Sequence, residues 1–301
     1  AAGNGLAQAV EQNMGQAISS SPAAKGGKKM AAKPAMEAFS STFADRVAGA
    51  LWGMHIADAM AMPTHWYYGG YSQVQGDYGK ITGYVKPKVE LRGSIMALSN
   101  TGGAGRGGSD GDIIGSVIAH GKKPYWSRAR AHHYHCTLDK GENTVDADLV
   151  RLCYKTIAET GGQFVQDRLR DNYVSFMTTP GNYNDCYMST THRMFFANKV
   201  RGVPLEKCPD NDGHNVDTTC GLPMTVPVAL STAHLPADQA RKQVADAVSV
   251  TRKSRACQEY AGLLADMLRQ VIGGQPLGAV MESVAGRSLA SSLSRPDPVV
   301  A

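Results

Sequence analysis

Residues 49–66, GALWGMHIADAMAMPTHW, decide the fold class of this chain. Small side chains recur at close spacing along the stretch, and they let a helix approach its neighbours closely: Gly49, Ala50, Gly53, Ala57 and Ala59. Asp58 interrupts an otherwise apolar helix, which costs free energy unless the carboxylate is hydrogen-bonded, paired or bound to a cation. Asp58 therefore either caps a neighbouring helix or belongs to a polar site.

The helical pattern begins at Phe43 and continues through the rest of the chain. Residues 144–159 place Val145, Leu149 and Leu152 on one face, with the spacing of a half-buried helix. Further helices are predicted over 110–120, 124–138, 163–177, 186–199, 216–231, 236–252, 256–272 and 275–285. Alternating β-branched runs are lacking, and residues 71–91 could form a short hairpin at most. The sequence predicts an all-α domain.

Composition excludes several classes of protein. The 301 residues are 43% apolar and 19% charged, an ordinary globular balance. No apolar run approaches the roughly 20 residues of a membrane span. Residues 1–36 hold four lysines and one glutamate, so +3 of the net charge of +5 lies there and a basic nucleic-acid surface is not indicated. The six cysteines form no CxxC pair, so we expect reduced thiols.

The N-terminal residues differ from the remainder. Residues 1–42 are rich in Ala, Gly, Ser and Lys and poor in aromatic residues, a composition that cannot bury enough apolar surface to fold alone. We therefore expect a flexible, low-complexity arm that contacts protein partners, followed by one domain over residues 43–301. The composition also suits a processed targeting segment, which favours a soluble, reducing compartment in an organelle such as a mitochondrion or plastid. An incomplete sequence is the open alternative.

Polar residues gather in two segments of the middle of the chain. In GENTVDAD, residues 141–148, Glu142, Asp146 and Asp148 lie at a helix start, where the helix dipole favours acids whether or not they act in chemistry. The preceding histidines at 132, 133 and 135 lack the i, i+4 spacing of zinc ligands. In PGNYND, residues 180–185, a turn delivers Asp185 to a helix start, as a cap or as a ligand contact.

A third segment, CPDNDGHNVD at residues 208–217, is the densest in oxygen and imidazole donors. Its polar side chains suit Mg²⁺ or Ca²⁺: Asp210, Asp212, His214, Asn215 and Asp217. The spacing is not that of an EF-hand, and a solvated acidic turn is the alternative. The basic and aromatic stretch 122–135 either meets phosphates or is one exposed helix face.

Together these segments resemble the ADP-ribosylglycohydrolase family, which includes the J-crystallins. GALWGMHIADAMAMP resembles the first family helix, approximately GALxGxxxGDAxGxP, and GENTVDADLVRLCYKTIAE lies where the family has Thr-Asp-Asp-Thr. GLPMTVPVALS resembles the segment Met-Arg-x-x-Pro-Ile-Gly-Leu, and residues 245–274 resemble the long small-residue helix that follows a Thr-His turn. The resemblance covers residues 43–285 in order.

The resemblance implies an all-α fold with two Mg²⁺ ions in a cleft, where a bond to ADP-ribose is hydrolysed through an oxocarbenium-like state. Taken together with the polar segments of this sequence, it gives three groups of candidate site residues. Catalytic residues would be Asp58, Glu142 and Asp146; substrate-binding residues His65, Asp185, His214 and Asn215; and metal ligands Asp146, Asp212 and Asp217.

The sequence departs from the family where the metal ligands are expected. Val145 and Ala147 flank Asp146, so one of two aspartates is lost, and His65 stands where an acid is frequent. The C-terminal Gly-Gly-Asp-x-Asp-Thr motif is absent before the final SLSRPDPVVA. Either this branch builds its site from other residues or the sequence stops short. We expect one Mg²⁺ or none.

Two functions follow. The first is a divergent hydrolase that cleaves an ADP-ribosyl glycosidic bond with metal assistance. The second is an inert member of the fold, a pseudoenzyme that serves as a structural or accessory subunit. An ADP-ribose-type ligand fits the first, whereas nucleic acid is not an expected partner of either.

Overall fold

The computed structural model describes residues 42–98 and 113–294 of the chain. Apart from the four-residue turn Ile113–Ser116, the α-helices within these ranges are α1 Phe43–Ala61, α2 Gly70–Tyr78, α3 Val145–Glu159, α4 Gln166–Thr178, α5 Thr190–Val200, α6 Val226–Ser231, α7 Ala237–Thr251, α8 Arg255–Ile272 and α9 Leu277–Ser294. The same residues contain isolated β-bridges, at Glu90–His132 and Ile114–Ile118, but no β-strand. The all-α prediction is confirmed.

The main core lies between α3, α4, α5, α7 and α8. Helix α5 is buried around its whole circumference from Thr190 to Ala197, as expected of a central helix. Helix α7 packs along α8, and α3 contacts both α4 and α6. This packing holds the N-termini of α3 and α5 in fixed positions, and both ends carry site residues.

Helix α1 packs on the outside of this core. Val47 forms a second apolar cluster with residues of α6 and α8, and the guanidinium of Arg46 donates to the Ile272 carbonyl at 2.7 Å. A capping box between Thr42 and Asp45 starts the helix. The outer face of α1 stays exposed, while its C-terminal end reaches the start of α3.

Residues 124–138 were predicted to be helical, and this prediction is wrong. The chain forms a 3₁₀ turn at Lys123–Trp126 and then runs irregularly. His133, Tyr134 and His135 are all buried, which a helix with one apolar face does not allow at successive positions. Residues 71–78 belong to α2, and residues 79–91 run irregularly without forming a hairpin. The helix predicted over 110–120 is also wrong where it can be compared, because residues 113–116 form a single turn with non-helical dihedrals at Ile114 and Gly115, and no helix continues to residue 120. Residues 110–112, like residues 1–41 of the arm, lie outside the described residues.

None of the helices in the described ranges is long and apolar enough to cross a membrane.

Candidate active site

A cleft of about 400 Å³ opens where the end of α1 meets the start of α3. Its lining brings together residues that are far apart in the sequence: Asp58, His65, Trp66, His135, Asp146, Asp185 and Tyr187. A cleft of this volume fits a small ligand. Four of the predicted site residues, Asp58, His65, Asp146 and Asp185, therefore share one cleft.

Asp58 holds the N-terminus of α3. Its Oδ2 accepts hydrogen bonds from the Thr144 backbone N–H at 2.8 Å and from the Asn143 amide at 3.0 Å. Its Oδ1 accepts from the Thr144 hydroxyl at 2.7 Å. A carboxylate in this position satisfies a free helix N–H and complements the helix dipole. Asp58 thus caps a neighbouring helix at the edge of the cleft.

Asp185 supplies a second cap to the same helix end. Its Oδ2 accepts from the Val145 backbone N–H at 3.1 Å, and its Oδ1 accepts from the Tyr187 N–H at 3.1 Å. Asp185 is 1% exposed. The turn before α5 therefore places this buried carboxylate at the N-terminus of α3. It was expected at the start of α5, the helix that follows it in sequence.

Asp146, in the first turn of α3, presents its carboxylate to the cleft with its side chain 34% exposed. Its Oδ1 accepts from His192 Nε2–H at 3.4 Å, and His192 Nδ1 is hydrogen-bonded to the buried Tyr173 hydroxyl at 2.8 Å. Burial alone would raise the pKa of Asp146, but the hydrogen bond and charge of His192 and the charge of Arg252 hold it below its usual value. Asp146 is therefore ionised at neutral pH.

His65 contacts His135, which in turn contacts Asp185. His65 Nδ1 lies 2.6 Å from His135 Nε2, and His135 Nδ1 donates to Asp185 Oδ1 at 2.9 Å. Burial, together with the charge of His135, lowers the pKa of His65 to about 3. Burial opposes protonation of His135 as well, but the charge and hydrogen bond of Asp185 outweigh it and raise the pKa of His135.

Buried contacts fix the two segments that carry these histidines. His133 Nε2–H donates to the Pro63 carbonyl at 3.0 Å, and His133 Nδ1 accepts from the His135 backbone N–H at 3.0 Å. Trp66 has a φ of 53°, a strained value for a bulky side chain. Its ring packs edge-on against Tyr134 and Tyr187. The segment after α1 is thereby held against the segment before α3.

Asp148 lies behind the cleft, one half-turn beyond Asp146, and forms an ion pair with Arg151 at 2.7 Å. Burial, with the charges of Asp185 and Asp58, raises the pKa of Asp148 to about 6, against the attraction of Arg151. The native protein therefore binds this proton more tightly than the unfolded chain does, and stability falls as the pH rises from about 4 to about 6.

Replacing Asp148 by Asn is expected to remove this loss of stability. Relative to the wild type, the variant should gain about 3 kcal/mol in free energy of unfolding between pH 4 and pH 7, since one pKa unit corresponds to 1.36 kcal/mol. Urea unfolding across this pH range measures the difference. The exposed Asp171→Asn variant is the control, and parallel curves for Asp148→Asn and the wild type would contradict the prediction.

The remaining predicted site residues lie outside the cleft lining. Glu142 is exposed, and its carboxylate accepts from the Asp139 N–H at 2.7 Å. Asp212 accepts from the backbone N–H groups of His214 and Val216, both at 3.1 Å, and from the Asn215 amide. Each of these contacts stabilises a local turn.

Asp217 belongs to the same 208–217 segment. Its Oδ1 accepts from the Ser254 hydroxyl at 2.5 Å and from the Asn211 amide at 2.9 Å. This carboxylate therefore ties the segment to the start of α8. The segment has the hydrogen bonding of an acidic turn, which was one of the two interpretations of its sequence.

The donor set described around the cleft does not fit a pair of Mg²⁺ ions. Asp58 and Asp185 accept hydrogen bonds from protein groups at both carboxylate oxygens, and Val145 contributes no oxygen from its side chain. Among the described residues, no group of three or more His, Cys, Asp or Glu side chains could hold a metal ion. Hard cations need several oxygen ligands at once, and we derive no step through a metal.

Sequence reasoning missed the partners of two site residues. His192 and Tyr173 support Asp146, and neither stood out because each reads in the sequence as a buried residue of a helix that packs in the core. The 132–135 histidines were considered as zinc ligands and as part of a basic stretch that meets phosphates or forms an exposed helix face. The signal that could have found His135 was its place beside a buried carboxylate, which requires a contact across 50 residues.

The fold and the cleft define a class of all-α protein in which carboxylates from separate segments surround one helix N-terminus. The profile of the ADP-ribosylglycohydrolase family matches residues 40–297. The chain belongs to this family, as the resemblance of its segments implied. Searches among curated proteins and among solved structures gave no match.

Proposed function

We propose that the cleft between α1 and α3 binds an ADP-ribosyl group and hydrolyses its glycosidic bond. The observation that carries the proposal is Asp146, an ionised and partly exposed carboxylate held at the cleft by His192. Membership of the ADP-ribosylglycohydrolase family supports the choice of ligand. Asp146 is the residue we assign to catalysis.

The chemistry follows from the charge of that carboxylate. Cleavage of a glycosidic bond passes through an oxocarbenium-like state, in which positive charge develops at the sugar ring. A preorganised negative group in a cleft stabilises this charge more than water does. Asp146 is ionised, and its orientation is set by His192, so it meets both conditions. Asp58 acts through Thr144 and is a positioning residue.

Replacement of Asp146 by Asn tests the proposal. We expect hydrolysis of ADP-ribosyl-serine or ADP-ribosyl-arginine peptides by the wild type to be slow, below about 1 s⁻¹, with little or no dependence on Mg²⁺. Asp146→Asn should lower the rate by about 100-fold or more, the effect typical of losing one electrostatic contact to the transition state. Mass spectrometry of the released ADP-ribose measures the rate.

Asp238→Asn is the matched control. Asp238 also lies in the first turn of a helix, α7, but it is exposed and remote from the cleft lining. Both variants lose the same charge at the same helix position, so a general effect on helix stability would appear in both. Unchanged turnover in Asp146→Asn would overturn the proposal.

The second candidate is an inert accessory subunit of a larger assembly. It is favoured by Asp58 and Asp185, whose oxygens are occupied by contacts that stabilise the fold. An inert subunit would neither turn over ADP-ribosyl peptides nor bind ADP-ribose in a calorimetric titration. The arm proposed to contact partners lies, apart from residue 42, outside the described residues.

A further inference from the structure

We infer that His65 is the general base of this cleft, and that His135 and Asp185 form a proton relay behind it. The inference rests on the proposed hydrolysis and adds the group that activates water. It was not evident from the sequence, in which His65 counted as a replacement of an expected acid and as a substrate-binding residue.

The geometry of the three side chains carries the inference. They form a continuous chain of hydrogen bonds from the cleft into the interior. The distance is 2.6 Å between His65 Nδ1 and His135 Nε2, and 2.9 Å between His135 Nδ1 and Asp185 Oδ1. The two imidazole planes differ by only 18°, and the rings meet edge to edge through their nitrogens. Such an arrangement of carboxylate and imidazole orients a terminal base and stabilises the charge it acquires.

The hydrogen bonds also determine which nitrogen faces the cleft. Asp185 accepts from His135 Nδ1–H, so when both imidazoles are neutral His135 Nε2 is left to accept from His65 Nδ1–H. His65 then has a lone pair on Nε2, which makes no hydrogen bond within the described residues. Because His65 lines the cleft, this nitrogen is available to a water molecule there.

The two ends of the relay differ in their exposure to solvent. His135 is 3% exposed and Asp185 is 1% exposed, whereas His65 opens on the cleft. A buried carboxylate is stable as an ion only when it is well hydrogen-bonded, and the N–H groups of Val145 and Tyr187 provide this. The inner end of the relay is therefore a buried carboxylate fixed in position by these N–H groups and by His135.

The proton balance of the step is complete. As the water oxygen forms a bond to the anomeric carbon, its proton passes to His65 Nε2. The electron pair of the glycosidic bond departs with the leaving group, which takes a proton from solvent. His65 passes its Nδ1 proton to His135 Nε2, so the positive charge comes to lie beside Asp185, and the relay later returns one proton to water.

The charges around the relay favour this direction of transfer. Besides His135 and Asp185, the titratable groups that influence His65 are Asp146 and His133, with the rings of Tyr134 and Tyr187 beside it. Asp58 and Asp146 act on His135 in addition to Asp185. The lowered pKa of His65 and the raised pKa of His135 place the proton on the inner imidazole.

The test is the pH dependence of kcat for ADP-ribosyl peptide hydrolysis. The wild-type rate should rise with pH as the His65–His135 pair loses its proton, with a midpoint above the usual histidine pKa. Asp185→Asn should move this midpoint to lower pH by about 1–3 units, as expected when an adjacent opposite charge is removed. A purely structural role of Asp185 would lower the rate without moving the midpoint.

His65→Gln should lower kcat by about 100-fold or more, the usual contribution of a general base, and leave KM nearly unchanged. Added imidazole should restore part of the activity in His65→Ala. His234→Gln, at an exposed histidine remote from the cleft, is the control. Circular dichroism of each variant verifies folding, and the midpoint shift in Asp185→Asn is independent of whether the His65 variants fold.

The outcomes separate this inference from the proposed function. Turnover that depends on Asp146 but is unaffected by His65→Gln, or an unshifted midpoint in Asp185→Asn, would overturn the relay alone. Turnover that is insensitive to Asp146→Asn, or absent altogether, would overturn the proposed hydrolysis and the relay with it.

Discussion

Replacing Asp58 by Ala is expected to lower the free energy of unfolding by about 3 kcal/mol, because it leaves several donors without their acceptor. The Thr144 N–H, the Thr144 hydroxyl and the Asn143 amide all donate to this carboxylate. Loss of the charge also removes a favourable interaction with the N-terminus of α3.

Chemical denaturation measures the effect, with two further variants for comparison. Asp171→Ala removes an exposed carboxylate from the surface of α4 and should change stability by less than about 0.5 kcal/mol. Asp58→Asn keeps the size and one acceptor oxygen of the side chain and should fall between the two. If Asp58→Ala were as stable as Asp171→Ala, these hydrogen bonds would contribute nothing net to the fold.

The periodic segments of the fold could be predicted from the sequence. Residues 236–252 and 256–272 were assigned to helices, and the structure has α7 at Ala237–Thr251 and α8 at Arg255–Ile272. These helices place apolar residues on one face, so local spacing is sufficient to identify them. Residues 124–138 have no such face. Their conformation depends instead on contacts with distant segments, such as that of His133 with the turn after α1.

The candidate site was predictable only in part, for a related reason. Asp58 stood out because an acid in an apolar helix needs a partner, and Asp146 because its segment lies where the family has Thr-Asp-Asp-Thr. What the carboxylates do depends on contacts between segments distant in sequence, such as Asp58 with Thr144 across 86 positions. Neither composition nor spacing contains this information, and the 208–217 segment, the densest in donors, lies outside the cleft lining.

The loss of the first aspartate of the family's Thr-Asp-Asp-Thr motif has a structural counterpart at Val145. Val145 is 3% exposed and belongs to the main apolar core, while its backbone N–H is capped by Asp185. Restoring the acid would therefore place a carboxylate among apolar side chains and close to Asp185, Asp58 and Asp146.

Val145→Asp is expected to lower the free energy of unfolding by about 4 kcal/mol, the range for an uncompensated buried charge. Val145→Thr, which keeps the shape of the side chain without the charge, should lose much less, and the comparison isolates the electrostatic part. Denaturation is measured with and without millimolar Mg²⁺, since a cation that binds only the native state stabilises it by mass action.

The dependence of the stability of Val145→Asp on Mg²⁺ distinguishes a cleft that can still form a metal site from one that cannot. If Val145 replaced a ligand in a site that otherwise persists, Mg²⁺ would recover much of the stability of Val145→Asp and leave the Thr variant unchanged. We expect no such recovery, because Asp58 and Asp185 are already occupied by the N-terminus of α3 and cannot turn to a cation without releasing it. A Mg²⁺-dependent rise in the stability of Val145→Asp alone would refute this view and show that the remaining carboxylates can still form a metal site.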